Sequence, residues 1–193
     1  LTSRGIGVGH RSSIGLRQGS ISPDGTVTVD PAGSRARVGI AAPGVHHRSL
    51  VHCRLRDLDD DHENAAYVLD ALPDRFDDRQ LARGVAMLED DAATRRKVST
   101  TAKHLRRIAE GSYRVDFPDD VGLDDRVLWP HAPDERNGME DARFVEITDG
   151  SAPRYCATYT AFDGIDINQH LLVTDDFRSF VAGPMAGSAA QGK

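Results

Sequence analysis

The 193 residues carry 24 Lys and Arg against 30 Asp and Glu, a formal net charge of −6 that argues against nucleic acid as the main partner. Hydrophobic residues at 39% and charged residues at 28% belong to a globular chain and exclude an intrinsically disordered one. No apolar run approaches the roughly 20 residues of a membrane span, so no membrane partner is expected.

Residues 1–57 are rich in Gly, Ser and β-branched residues, with turn signals at Ser22-Pro23-Asp24-Gly25, Asp30-Pro31 and Ala42-Pro43-Gly44. Between these turns, Thr26-Val27-Thr28-Val29 and Ser49-Leu50-Val51-His52-Cys53 alternate or cluster as short strands do. Strands this close leave no room for a crossover helix, so antiparallel meanders are expected.

Residues 58–112 change character. Ala65, Val68, Leu69 and Leu72 share one helical face, and Leu81, Val85 and Leu88 share another. A third stripe runs through Val98, Ala102, Leu105 and Ile108, with Arg and Lys opposite. Pro73 and Gly111 bound parts of this block, which predicts two or three amphipathic helices. Arg95-Arg96-Lys97 and Arg106-Arg107 read as a solvated helix face, with phosphate contact the alternative.

Residues 113–193 return to strand composition at Arg126–Trp129, Ala142–Ile147, Arg154–Thr160 and His170–Thr174. Asp149-Gly150 and Asp163-Gly164 lie between them as hairpin signals. A spacing of about 8–12 residues fits a sandwich, a barrel or a propeller, and periodicity does not choose among them. The last eight residues, 186–193, supply no closing strand, so the sheet system reads as unfinished.

Several local patterns carry little chemistry. Gly5-Ile6-Gly7-Val8-Gly9 has the glycines of a phosphate loop but neither the preceding strand nor the following helix that a dinucleotide site needs. His46-His47 and His52-Cys53 lack a second ligand pair at zinc spacing, so no metal is expected. Cys53 and Cys156 form no paired motif and read as free thiols of a reducing, cytoplasmic compartment.

The informative stretch is Asn137-Gly138-Met139-Glu140-Asp141-Ala142-Arg143-Phe144-Val145. On an extended segment Glu140 and Asp141 point to opposite sides, and Asp141 projects with Arg143. An Asp beside an Arg is either a strand-end ion pair or part of a pocket for an anionic substrate. Spacing alone leaves both open.

The stretch Asn137–Val145, followed by Tyr155-Cys156-Ala157-Thr158-Tyr159-Thr160-Ala161-Phe162-Asp163-Gly164 and then Asp176-Phe177, resembles the paired signature of glycoside hydrolase family 130. In that family the elements read Gly-x-Glu-Asp-x-Arg, then a strand close to Tyr-x-x-Thr-Tyr-Thr-Ala, then Asp-Phe. The opening Arg4-Gly5-Ile6-Gly7-Val8-Gly9-His10-Arg11-Ser12-Ser13-Ile14 is similar to an N-terminal segment of one branch of the family, with Val8 in place of Glu and Arg11 in place of Ile.

The resemblance implies a mainly β fold, a five-bladed β-propeller of which this chain supplies roughly two blades, with an inserted α-helical segment. Residues 1–57 and 113–193 would be propeller strands and 58–112 a helical insertion, the remaining blades lying elsewhere. The implied activity is a glycoside phosphorylase cleaving β-mannosides by inverting attack of inorganic phosphate, with Asp141 as general acid. Arg4 and Arg143 are candidates for binding sugar hydroxyls or phosphate, because a guanidinium fork matches such oxygens at two points. His10 is a candidate sugar or phosphate ligand, or a loop-ordering residue. Tyr159 and Asp163 are candidates for the sugar subsite, with packing between blades the alternative for Tyr159. Lys193 would supply a phosphate ligand.

The implied partners are an oligosaccharide or mannoside and phosphate as co-substrate, with no cofactor; homo-oligomerisation is left open. The alternatives are an inverting β-mannoside hydrolase of the same family and a non-catalytic carbohydrate-binding propeller. The second expects aromatic platforms for sugar stacking, and aromatic residues are only 6% of the chain. The isolated 193 residues are expected to be inactive, since the channel needs all its blades.

Overall fold

The computed structural model describes residues 1–148 and 152–191. Its strands are β1 (Thr2–Ile6), β2 (Ser12–Leu16), β3 (Gly19–Ile21), β4 (Val27–Val29), β5 (Arg37–Val38), β6 (Ile40–Pro43), β7 (His46–His47) and β8 (Arg75–Phe76). After the helical region come β9 (Tyr113–Asp116), β10 (Arg126–Leu128), β11 (Gly138–Ile147), β12 (Arg154–Phe162), β13 (Ile167–Thr174) and β14 (Ser179–Pro184). The helices are α1 (Arg48–Asp57), α2 (Glu63–Leu69), α3 (Asp78–Asp90) and α4 (Val98–Glu110). Strand residues exceed helical ones, 36% against 30%, so the protein is mainly β with a helical segment.

Two compact units divide the chain: residues 1–42 with 114–182, and residues 43–113 with 183–193. The first unit is organised by a ten-stranded sheet in the order β5-β10-β2-β11-β12-β13-β14-β9-β6, with β1 added on β2. The end strands β5 and β6 are consecutive in the chain, and the sheet is nearly closed and barrel-like. Its pairing runs without a break through strands from both ends of the sequence, where the resemblance leads one to expect separate four-stranded blades.

Local chemistry explains the hairpins. β1 and β2 pair antiparallel from Thr2↔Leu16 to Ile6↔Ser12, so the Gly-rich opening is a hairpin and its tip, not a phosphate loop. The Asp163-Gly164 signal forms the turn between β12 and β13. There the Asp163 carboxylate accepts the N–H groups of Ile165 at 2.9 Å and Asp166 at 2.8 Å, and Gly164 takes φ 102°. Asp149-Gly150 lies outside the described residues.

In the second unit the three predicted stripes form one core. Ala65, Val68, Leu69, Leu81, Val85, Leu88, Val98, Ala102, Leu105 and Ile108 are all buried in it. Ser49–Cys53, expected as a strand, is the first half of α1. Val51 packs into this core with Leu55 one turn later, and that i, i+4 pair favours a helix over a strand. The helical region therefore begins at Arg48 and not at residue 58.

α3 opens on a capping box: Asp77 accepts the Gln80 N–H at 2.8 Å and the Gln80 side chain accepts the Asp77 N–H at 3.0 Å. Asp77→Ala is expected to destabilise the protein by about 1 kcal/mol, read from the midpoint of urea unfolding of the helical signal. Among the described residues no helix is long and apolar enough to cross a membrane.

Candidate functional site

β11 enters the sheet at Gly138, whose φ of 146° no other residue tolerates well; a Cβ there would stand 2.8 Å from the Ser12 backbone nitrogen. Along β11 the pairing with β12 shifts between Glu140, opposite Thr160, and Arg143, opposite Thr158. One extra residue is thus inserted, a β-bulge, and Asp141 within it adopts φ 57°. Asp is among the few residues that enter this left-handed region at modest cost. The bulge breaks the simple alternation expected of an extended segment and re-aims the two carboxylates.

Glu140 faces a cavity of about 380 Å³ with Arg4, His10, Ser12, Asn137 and Thr160. Asp141 faces a second, smaller cavity of about 220 Å³ with Thr2, Ser3, Arg4 and Arg143. Arg4 lies on the wall of both. Its guanidinium pairs with Glu140 at 2.8 Å and donates to the Ser12 hydroxyl at 3.1 Å. The Thr2 hydroxyl donates to the Ala142 carbonyl at 2.7 Å, holding β1 against the bulge. Among the described residues, the Arg143 guanidinium has neither a hydrogen-bond nor an ion-pair partner. Asp141 itself is exposed.

The structure therefore brings together Arg4, Asp141 and Arg143 around one cavity and places His10 on the neighbouring one. It separates Tyr159 and Asp163 from both. Tyr159 is 1% exposed: its hydroxyl donates to the Glu135 carboxylate and lies 3.3 Å from His170 Nδ1, so it is a core residue rather than a sugar ligand. Its neighbour Thr160, on the opposite face of β12, lines the larger cavity instead. Asp163 spends its carboxylate on the turn described above, while its carbonyl accepts from Arg136 Nε at 2.6 Å. Lys193 lies outside the described residues.

Glu140, Ser12, Asn137 and Thr160 also line the larger cavity, though none was among the candidate ligands read from the sequence. Glu140 and Asn137 flank the Glu-Asp motif and Thr160 has the opposite strand parity to Tyr159, the signals that locate them. The basic pairs of the helical region are used structurally: Arg95 pairs with Glu63 at 2.8 Å and lies 4.3 Å over the Tyr67 ring, and Arg106 grips Glu89 at 2.6 and 2.8 Å.

Behind the site, Thr174–Ser179 forms a tight turn at the end of β13. Burial acts to raise the Asp176 carboxyl, but the N–H groups of Ser179 and Arg178 and the Thr174 hydroxyl outweigh it and hold it below the ordinary aspartate value. Both cysteines are free. Comparison with protein-family models, with curated proteins and with solved structures finds no match to this chain.

Proposed function

We propose that this chain carries the acid and anion-binding part of an inverting glycoside phosphorylase acting on β-mannosides, as its resemblance to glycoside hydrolase family 130 implies. The observation that carries the proposal is the gathering of Arg4, Asp141 and Arg143, three residues read from the sequence, around one cavity of about 220 Å³. A phosphate dianion needs two-point guanidinium contacts, and an acid beside it needs to deliver a proton to a departing sugar oxygen. Arg4 and Arg143 supply the first and Asp141 the second. The larger cavity, with its Ser, Asn, Thr and Glu side chains, suits sugar hydroxyls.

In the reaction a phosphate oxygen bonds to the anomeric carbon as the glycosidic C–O bond breaks. The proton of Asp141 passes to the leaving oxygen through a sugar hydroxyl, and the proton given up by hydrogenphosphate restores the acid. Hydrolysis needs instead a second carboxylate about 6.5–9.5 Å from the acid, free to activate water. Glu140 is the adjacent carboxylate, and it is engaged by Arg4 and faces the other cavity. That favours phosphate over water as nucleophile.

The strands β11 to β14 form an antiparallel meander of four, the size and connection of one propeller blade. In this reading the complete enzyme is a five-bladed propeller in which the β1–β2 hairpin keeps its place beside β11. The two free thiols suit a cytoplasmic setting.

The test is a rate comparison in the complete propeller protein on a panel of β-mannosides, with and without phosphate. Cleavage is expected to be faster with phosphate, and Arg143→Gln to raise the phosphate KM by about 10-fold or more, the loss of one charge-assisted contact. Equal rates without phosphate would move the activity to a hydrolase. Sugar binding without cleavage, surviving Asp141→Asn, would make the protein a binding module.

A further inference from the structure

A third cavity, of about 520 Å³, shares Thr2, Ala142 and Arg143 with the smaller of the other two and is otherwise lined by apolar side chains and Arg17. The larger apolar residues lining it are Leu1, Leu16, Leu123, Phe144 and Phe177. Phe177 holds φ 55°, a strained setting for a bulky residue. The strain is over-determined by its surroundings: the Phe177 N–H donates to the Thr174 hydroxyl at 2.8 Å, and the Phe177 carbonyl accepts from Arg126 Nη1 at 2.8 Å. Asp176 fixes the next two N–H groups, each at 2.8 Å. The ring thereby makes tilted contacts with Tyr155, at 4.5 Å between centroids, and Phe144, at 5.3 Å. Backbone strain held in place this firmly is the kind found at ligand clamps.

Charge completes the picture. Arg17 donates only to carbonyls, those of Leu16 at 2.7 Å and Asp124 at 2.9 Å, and Arg143 has no partner among the described residues. Two arginines, with no Asp or Glu among the lining residues, thus border an apolar, partly aromatic space whose volume lies within the usual ligand range of about 300–1,000 Å³.

The geometry points to a binding site for a small aromatic carboxylate, its ring against Phe144 and Phe177 and its carboxylate on Arg143. Edge or offset contacts with the two Phe rings hold the planar body, and the guanidinium fork takes both carboxylate oxygens. This site shares Arg143 with the sugar chemistry proposed above but does not depend on it, because its apolar walls belong to a separate cavity.

The experiment is a calorimetric titration of the 193-residue chain with 2-naphthoate and, separately, with uncharged 2-naphthalenemethanol. Naphthoate is expected to bind, and the alcohol to bind about 10-fold or more weakly, as loss of a charged hydrogen bond implies. Arg143→Gln is expected to abolish that difference. Phe177→Asn, which keeps a residue tolerant of the left-handed backbone while removing the ring, and Leu123→Trp, which fills the space, are each expected to weaken naphthoate by the same order. Far-ultraviolet circular dichroism identifies a variant that has failed to fold, and the other then decides. Absence of naphthoate binding to the unaltered chain, equal binding of acid and alcohol, or binding unaffected by a folded cavity variant would each overturn the site.

Discussion

Replacing Asp141 by Asn is expected to lower turnover of β-mannosides by about 10²–10⁴-fold, the usual contribution of a positioned general acid. Substrate affinity should change little, because the amide keeps the size and one acceptor of the carboxylate. The bulge is the reason the effect falls on this residue. It sets Asp141 at φ 57° on the wall shared with Arg4 and Arg143, while Glu140 is turned to the neighbouring cavity and pairs with Arg4. Glu140→Gln should accordingly act differently, loosening Arg4 and raising KM for sugar more than it lowers kcat. A kcat loss confined to the Glu140 variant, with Asp141→Asn near full activity, would reverse the two roles.

Removing Glu135 is expected to be the most damaging structural change, about 3–5 kcal/mol on Glu135→Ala. The side chain is fully buried, and its carboxylate accepts the N–H groups of His131 at 2.8 Å and Ala132 at 2.9 Å besides the Tyr159 hydroxyl. Truncation leaves these donors without their acceptor in a space water does not reach, and each such loss costs about 1–3 kcal/mol. Tyr159→Phe removes a single bond of the set and is expected to cost about 1–2 kcal/mol. Urea midpoints of the two variants measure the difference; similar small losses for both would mean that water or neighbouring groups replace the carboxylate. Because Pro133–Glu135 forms the turn just before Asn137–Asp141, the same substitution should also disturb the site.

The helical core was legible because its signal is local: each of three stripes repeats at helical spacing and each is buried as its period requires. Of the strands from Arg126 onward, β10 to β13 were legible in whole or in part from their local composition, whereas β14 (Ser179–Pro184) was not. Ser49–Cys53 misled because five residues of mixed β-branched and polar character resemble a strand, and the Leu55 that completes the helical face lies beyond them. The bulge at Asp141 leaves no mark in the alternation of types, since an inserted residue changes direction without changing composition. Arg4 comes beside Asp141 through the local β1–β2 hairpin and then through the pairing of β2 with β11, where Ser12 meets Gly138 across more than a hundred residues of sequence that no local pattern spans. Tyr159 and Thr160 are both buried, on opposite faces of β12, and only knowing which face borders the cavity tells them apart, a property of the whole sheet.

The proposed proton transfer from one exposed bulge residue, with phosphate held between two arginines, would have a product that reports on it directly. Proton nuclear magnetic resonance of a β-mannoside incubated with the complete protein and phosphate should show α-mannose 1-phosphate as the first-formed sugar, the inverted ester. Free mannose as the first product, or the β-phosphate, would contradict the mechanism.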